Sequence, residues 1–215
     1  MRLAYPPFML TEIDRPRWPR RWLIWIAAGL ALRVAFIVFP RPGDSDTQDY
    51  LELGHNLLHS GIYGFTVGHA IVPKMYRLPA YPIFLAVMEA LFARFWPSTW
   101  LIAVYFVQTA VDLASGLLLA TFARSHLSPR AAEVALALAM LCPFTAAYAA
   151  IPMTECFSVF AIALGLYASG RAINAESTGA HDVYALILAG CASALAMLLR
   201  PDGVALCLVA GACRL

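Results

Sequence analysis

WLIWIAAGLALRVAFIVFPRPGDSDTQDY, residues 22–50, decides how this chain is read. Trp22–Phe39 is apolar apart from Arg33 and approaches the ~20 residues that a helix needs to cross a bilayer. Three carboxylates, Asp44, Asp46 and Asp49, then fall within six residues, directly ahead of a helical pattern. Acids packed this tightly at the edge of an apolar run serve either to cap a helix or to do chemistry at a membrane surface.

Working outward, the composition agrees with a membrane chain. The sequence is 61% hydrophobic and only 13% charged, with a mean hydropathy of +0.71. These values exclude an ordinary soluble domain. The net charge of +2 is small and the arginines are scattered, so nucleic acid is not a partner. Lys74 is the single lysine among many Arg and Ala, which fits GC-rich bacterial coding. The five cysteines, Cys142, Cys156, Cys191, Cys207 and Cys213, lie in apolar runs with no C-x-x-C pair. They read as small core residues rather than as a disulfide or metal framework. Residues 1–21 are too Pro- and Arg-rich for a signal peptide, so the first run is a retained anchor.

The arginines at 15, 17, 20 and 21 precede that run, and the positive-inside rule places 1–21 in the cytoplasm. Residues 22–215 form the transmembrane domain, with a first outer loop at about 40–98. Within the loop, 47–60 reads as a surface helix. Tyr50, Leu51, Leu53, Leu57 and Leu58 fall on its apolar face, Gln48, Glu52, His55, Asn56 and His59 on its polar face, and Gly61 ends it. Pro79–Trp96 is apolar but interrupted by Glu89 and Arg94; charge parity favours an interfacial helix over a span. The later spans are then 99–122, 130–150, 154–169 and 183–199. The final apolar run, 203–215, is about half a span, so the chain reads as the truncated N-terminal part of something longer. The expected fold is an all-α polytopic transmembrane bundle with interfacial helices in the first extracytoplasmic loop.

That topology brings Asp46, Arg77, Glu155 and Arg200 to one face. A carboxylate can deprotonate an acceptor hydroxyl, Arg can hold a leaving phosphate through paired hydrogen bonds, and tyrosines can pack on a sugar or prenyl chain. Each residue also has a plainer role: Asp46 as a helix cap, Arg77 as an interfacial anchor, Glu155 as a dipole partner and Arg200 at a helix C-terminus. Inside the spans, Arg33 and Asp112 are expected to pair, since either alone in a bilayer is costly. His55-x-x-x-His59 has metal-compatible spacing, but with no third ligand in view it reads as solvated histidines, and no metal site is assigned.

The ordered motifs resemble the membrane-embedded GT-C glycosyltransferases, specifically the dolichyl-phosphate-mannose–protein mannosyltransferase-like group (family 39 and the aminoarabinose transferases). They are Asp46-Thr47-Gln48-Asp49-Tyr50, Gly61-Ile62-Tyr63-Gly64, Arg77-Leu78-Pro79-Ala80-Tyr81-Pro82, Pro152-Met153-Thr154-Glu155 and Leu199-Arg200-Pro201. The resemblance implies Asp46 as catalytic carboxylate, assisted by Glu155. Asp44, Tyr50, Arg77, Tyr81 and Arg200 would bind substrate, with the two arginines facing the donor phosphate. Asp44 is the alternative base. The implied donor is a polyprenyl-phosphate-linked sugar, and a divalent cation is compatible with such a site. The acceptor would be the hydroxyl of a glycan, lipid or protein. The implied location is a bacterial inner membrane with a cytoplasmic N-terminus. The competing expectations are a transporter or flippase of a lipid-linked substrate, and an inactive truncated paralogue.

Overall fold

The computed structural model describes residues 19–39, 45–177 and 182–206. Asp44, Cys207, Cys213 and most of the 1–21 segment lie outside the described residues. The elements are α1 (Arg20–Val38), α2 (Ser45–Ser60), β1 (Gly64–Val67), β2 (Ala70–Pro73), α3 (Ala80–Phe92), α4 (Trp100–His126), α5 (Pro129–Leu141), α6 (Pro143–Ala149), α7 (Glu155–Ser177) and α8 (Val183–Leu199), closed by a 3-10 turn at Pro201–Gly203. The fold is all-α with one small hairpin.

Helices α1, α4 and α7 are each long and apolar enough to cross a membrane. Their outward faces are apolar too: Leu23, Ile24, Ile102, Phe106 and Ile162 are all exposed. A helix apolar all round belongs in a core or a bilayer, which marks this chain as a membrane protein. At 1.5 Å per residue the 13-residue α3 spans only about 20 Å, short of a ~30 Å hydrocarbon core. The outward apolar faces also correct one expectation. Cys156 is buried and Cys142 half-buried, but Cys191 is exposed. An apolar run in such a chain does not say which side faces inward.

Two ends of the bundle can be told apart by their contacts. At one end Arg21 pairs with Glu133 at 2.9 Å, Arg171 pairs with Asp182 at 2.7 Å, and Trp22 packs with Ala120, Ala123 and Ala132. At the other lie α2, the hairpin, α3 and the junctions between α6 and α7 and after α8. Beneath that second end a core of Tyr50, Tyr81, Leu85, Met88, Val104, Ala161, Ala196 and Leu199 joins α2, α3, α4, α7 and α8.

The expected continuous span at 130–150 is instead broken, α5 and α6 meeting at 50°. Pro143 is the cause. It has no N–H to give the carbonyl of Ala139, and it forces the preceding Cys142 to extended angles (φ −65, ψ 112). Arg33 of α1 fills the gap. Its Nη1 donates to Met140 O and Gly29 O, both at 2.8 Å. Its Nη2 donates to Ala139 O at 3.2 Å and Thr145 Oγ1 at 3.3 Å, and its Nε to Asp112 Oδ2 at 2.7 Å. All five guanidinium N–H groups are thus used, and the expected Arg33–Asp112 pair is present. Gln108 of α4 does the same before Pro152, whose missing N–H leaves Tyr148 O with only a long backbone bond from Ile151 N at 3.4 Å. Its amide donates to Tyr148 O and Ala149 O at 3.2 Å and to Ile151 O at 2.8 Å.

Helix α2 begins at Ser45, so Asp46 stands in its first turn and is not the cap the sequence suggests. Gly61 ends the helix as expected, at φ +68, with its N–H on Leu57 O at 3.1 Å. The buried face is Thr47, Tyr50, Leu53, Gly54 and Asn56, rotated from the expected one, and Leu58 is exposed. Gly54 permits the close crossing with α3: a Cβ there would lie 2.9 Å from Pro82 O. Asn56 turns inward to donate to Gly64 O at 2.9 Å, and Glu52 accepts from Thr66 N at 2.7 Å, so both fix the hairpin on α2. The sequence predicts only loop over these residues, and the structure forms a hairpin there. Its strands are antiparallel, with Phe65 opposite Val72 and Val67 opposite Ala70. The two-residue loop Gly68-His69 opens on a positive-φ glycine (φ +64), as tight hairpins require.

Candidate functional site

The site lies at the α2 end of the bundle and is assembled from four separate segments. The first turn of α2 carries Asp46 and, one turn on, Asp49. The loop between β2 and α3 carries Arg77. The start of α7 carries Glu155, and the extended residue after α8 is Arg200, held out of the helix by Pro201.

Arg77 is the hub. Its Nη2 reaches Asp46 Oδ1 at 2.5 Å and Asp49 Oδ2 at 3.0 Å. Its guanidinium also lies over the rings of Tyr76, at 4.7 Å, and Tyr50, at 5.5 Å. The loop is fixed from behind by Tyr63, whose hydroxyl donates to the Arg77 carbonyl at 2.8 Å. Burial pushes the Tyr63 hydroxyl up to about 12, with Tyr50 nearby adding to the effect, so it remains a donor at physiological pH. Tyr50 is raised mainly by burial as well, against the hydrogen bond with Thr154 and the charge of Arg77; Glu155 and Asp46 add to the rise. Tyr50 therefore links the α2 carboxylates to the start of α7 as a neutral hydroxyl. There Glu155 Oε1 accepts from Arg200 Nη1 at 3.3 Å, and Asp202 approaches Arg200 at 3.6 Å.

Beside this strip, a groove of about 380 Å³ opens between α7 and α8. Val159, Ile162, Leu166, Ala196 and Leu206 make its apolar wall, and Glu155, Ser158, Arg200 and Asp202 its polar part. Five buried side-chain polar atoms lack a hydrogen-bond partner among the described residues. Four belong here: Thr47 Oγ1, Arg77 Nε, Glu155 Oε2 and Ser158 Oγ. Buried polar atoms are normally satisfied, so their concentration at one place is characteristic of a ligand-binding surface.

Asp46, Tyr50, Arg77, Glu155 and Arg200, singled out from the sequence, are brought to this strip. Asp44 lies outside the described residues. Tyr81, expected at the substrate, is instead fully buried beneath the site, with its hydroxyl donating to Gln108. It supports the floor rather than presenting itself to a ligand. The sequence reading missed Asp49 as a second carboxylate on Arg77, although its i, i+3 spacing from Asp46 puts both on one helix face. It also missed Ser158 and Thr47, which carry no sequence signal of their own.

A second polar cluster sits farther along α2. His55 Nδ1 lies 2.8 Å from Glu89 Oε1, and His59 Nε2 lies 3.1 Å from the same oxygen. Glu89 counted in the sequence only as an interruption of the 79–96 run.

The chain matches no family model, no curated protein and no solved structure.

Proposed function

We propose that this chain is a membrane glycosyltransferase that moves a sugar from a polyprenyl-phosphate donor to an acceptor hydroxyl at the extracytoplasmic face. The observation that carries the proposal is an apolar groove with Glu155 and Arg200 at its polar edge, joined through Tyr50 to the neighbouring Arg77–Asp46 pair. A lipid phosphate is an anion on a hydrocarbon tail, and a groove with an apolar wall and an arginine at its edge matches both parts. The distribution of arginines supports this assignment of sides. Arg20, Arg21, Arg124, Arg130 and Arg171 gather at the end opposite the site, so the positive-inside rule puts that end in the cytoplasm. Helices α2 and α3 then lie in the outer interface.

In this mechanism the prenyl chain lies along α7 and α8, with its phosphate on Arg200. The incoming phosphate competes with Asp46 and Asp49 for Arg77 through charge-assisted hydrogen bonds. Asp46, freed from that pair, takes the proton of the acceptor hydroxyl. The hydroxyl oxygen attacks the anomeric carbon, the bond from that carbon to the phosphate oxygen breaks, and its electron pair leaves with the polyprenyl phosphate. Arg77 and Arg200 stabilise the charge that develops there. Glu155, bonded to Arg200, is a positioning residue. A divalent cation is not needed for any of these steps.

Transport finds less support. The polar groups at mid-bundle are buried and committed: Arg33 to Asp112 and backbone carbonyls, Gln108 to Tyr81 and backbone carbonyls. The test is reconstitution of the protein in liposomes with polyprenyl-phosphate sugars and a panel of acceptors, reading release of free polyprenyl phosphate. Release that falls sharply in Arg200→Gln is expected. No release with any sugar, or release unchanged by Arg200→Gln and Asp46→Asn alike, would remove the proposal.

A further inference from the structure

We infer that His55 and His59 of α2 and Glu89 of α3 form a binding site for a zinc-class divalent cation, separate from the transfer site and not dependent on it. The sequence supplied only two imidazoles; the fold supplies the third ligand from a helix 34 and 30 residues away in the chain. One donor atom from each residue lies within 4.8 Å of the other two. Tetrahedral zinc with nitrogen and oxygen ligands at 2.0–2.2 Å needs its ligands about 3.3–3.5 Å apart, a spacing reached here by small side-chain rotations.

The donor set suits the ion. Two imidazoles and one carboxylate are the protein ligands of many three-ligand zinc sites, which keep a further position open. Both imidazoles are more than half exposed, while the Glu89 side chain is 13% exposed, so the carboxylate is the fixed point and the rings are free to adjust. His55 and Glu89 also line a cleft of about 360 Å³ with Gln48, Glu52 and Trp100, which leaves room for a water or an anionic group beside the ion. Both rings turn a nitrogen toward a single oxygen, Oε1, with centroids 4.3 Å apart. Three donor groups from two helices thus converge on one point, where a shared ion would tie α2 to α3.

The site is testable with the full chain in detergent, without a polyhistidine tag and stripped of metal. Titration with zinc chloride by calorimetry should give one equivalent bound per chain. His55→Gln, His59→Gln and Glu89→Gln should each weaken it by at least about 10-fold, the loss that even outer-shell changes produce. Zinc should also raise the thermal midpoint of the wild-type protein and not those of the three variants. Absence of binding by wild-type protein, or equal binding by the His variants, would overturn the site. Loss in the His variants with retention in Glu89→Gln would overturn it too, leaving a simple two-histidine chelate. None of these outcomes depends on transfer activity, so the site and the proposed function can fail separately.

Discussion

Arg33 at mid-bundle and Arg77 at the rim are both buried or part-buried arginines paired with aspartate, yet they are built to different ends. Arg33 is fully buried, and each of its N–H groups has a protein acceptor: Asp112, Thr145 and three backbone carbonyls. Arg77 spends a single nitrogen, Nη2, on both of its carboxylates, while its buried Nε has no partner among the described residues. A saturated arginine holds helices together. An unsaturated one, in a cluster with Glu155 Oε2, Thr47 Oγ1 and Ser158 Oγ also unspent, has capacity left for a ligand. The count of unused donors and acceptors, more than the presence of charge, is what makes the rim rather than the mid-bundle the candidate site.

The strongest way to break that comparison is to strip Arg33. Arg33→Gln leaves Asp112 buried without its cation and the carbonyls before Pro143 without donors. Removing one partner of a buried pair costs about 3–5 kcal/mol, and folded yield in detergent should drop accordingly. Asp112→Asn also leaves a buried charge uncompensated, but it keeps an acceptor for Arg33 Nε and every carbonyl paired, so it should fall at the lower end of that range, about 3 kcal/mol. The double variant Arg33→Gln with Asp112→Asn should recover only part of the loss, because the carbonyls stay unpaired. Adding Pro143→Ala to Arg33→Gln restores a backbone N–H for Ala139 O and should recover about 1 kcal/mol more. Equal losses from Arg33→Gln and Asp112→Asn, with no rescue by Pro143→Ala, would reduce Arg33 to a simple ion-pair partner.

The rim should behave in the opposite way, losing activity and keeping the fold. Asp46 is 40% exposed at its side chain, and exposed ion pairs contribute about 0–1 kcal/mol. Asp46→Asn should therefore leave the thermal midpoint nearly unchanged. If Asp46 is the general base, polyprenyl-phosphate release should fall by on the order of 10²-fold or more, since an amide cannot take the proton. Asp49→Asn, which removes only a second acceptor from Arg77, should fall less than about 10-fold. A larger loss in Asp49→Asn than in Asp46→Asn would transfer the base to Asp49. A collapse of stability in either would make the rim structural after all.

How much of this could be read from the chain differs between the two clusters. Three helices long and apolar enough to cross a membrane, the helix ending at Gly61 and the Arg33–Asp112 pair follow from hydropathy, glycine chemistry and the cost of lone charges in a bilayer. The further work of Arg33 and Gln108, supplying the N–H groups that Pro143 and Pro152 lack, depends on contacts about 100 and 40 residues distant. Sequence separation hides such pairs. At the rim, Asp46, Arg77, Glu155 and Arg200 were legible as residue types in order. Asp49 on the same guanidinium, the burial of Tyr81 and the approach of Glu89 to the histidines were not. Each requires knowing which helix face turns inward. In helices apolar on every side, such as those bearing Tyr81 and Cys191, no periodicity records that choice.

Tyr63 offers the smallest test, and it asks whether one part of the rim is structural. Its hydroxyl donates to the carbonyl of Arg77 at 2.8 Å, and burial holds the group up to about 12. In the unfolded chain a tyrosine ionises near 10. The folded state thus favours the protonated hydroxyl, and its contribution to stability is fully present below about pH 10 and is lost as pH rises toward 12. Tyr63→Phe keeps the ring and deletes the donor, so it should be less stable than wild type at pH 8 by about 0.5–1.5 kcal/mol. The gap between the two proteins should then close between pH 10 and 12, with the titration of every other tyrosine cancelling in the difference. A gap that stays constant across that range would mean the hydroxyl does not anchor the Arg77 loop. In that case Arg77 is held by its carboxylates alone, and a phosphate arriving at the rim could draw it farther from Asp46 than the anchored loop allows.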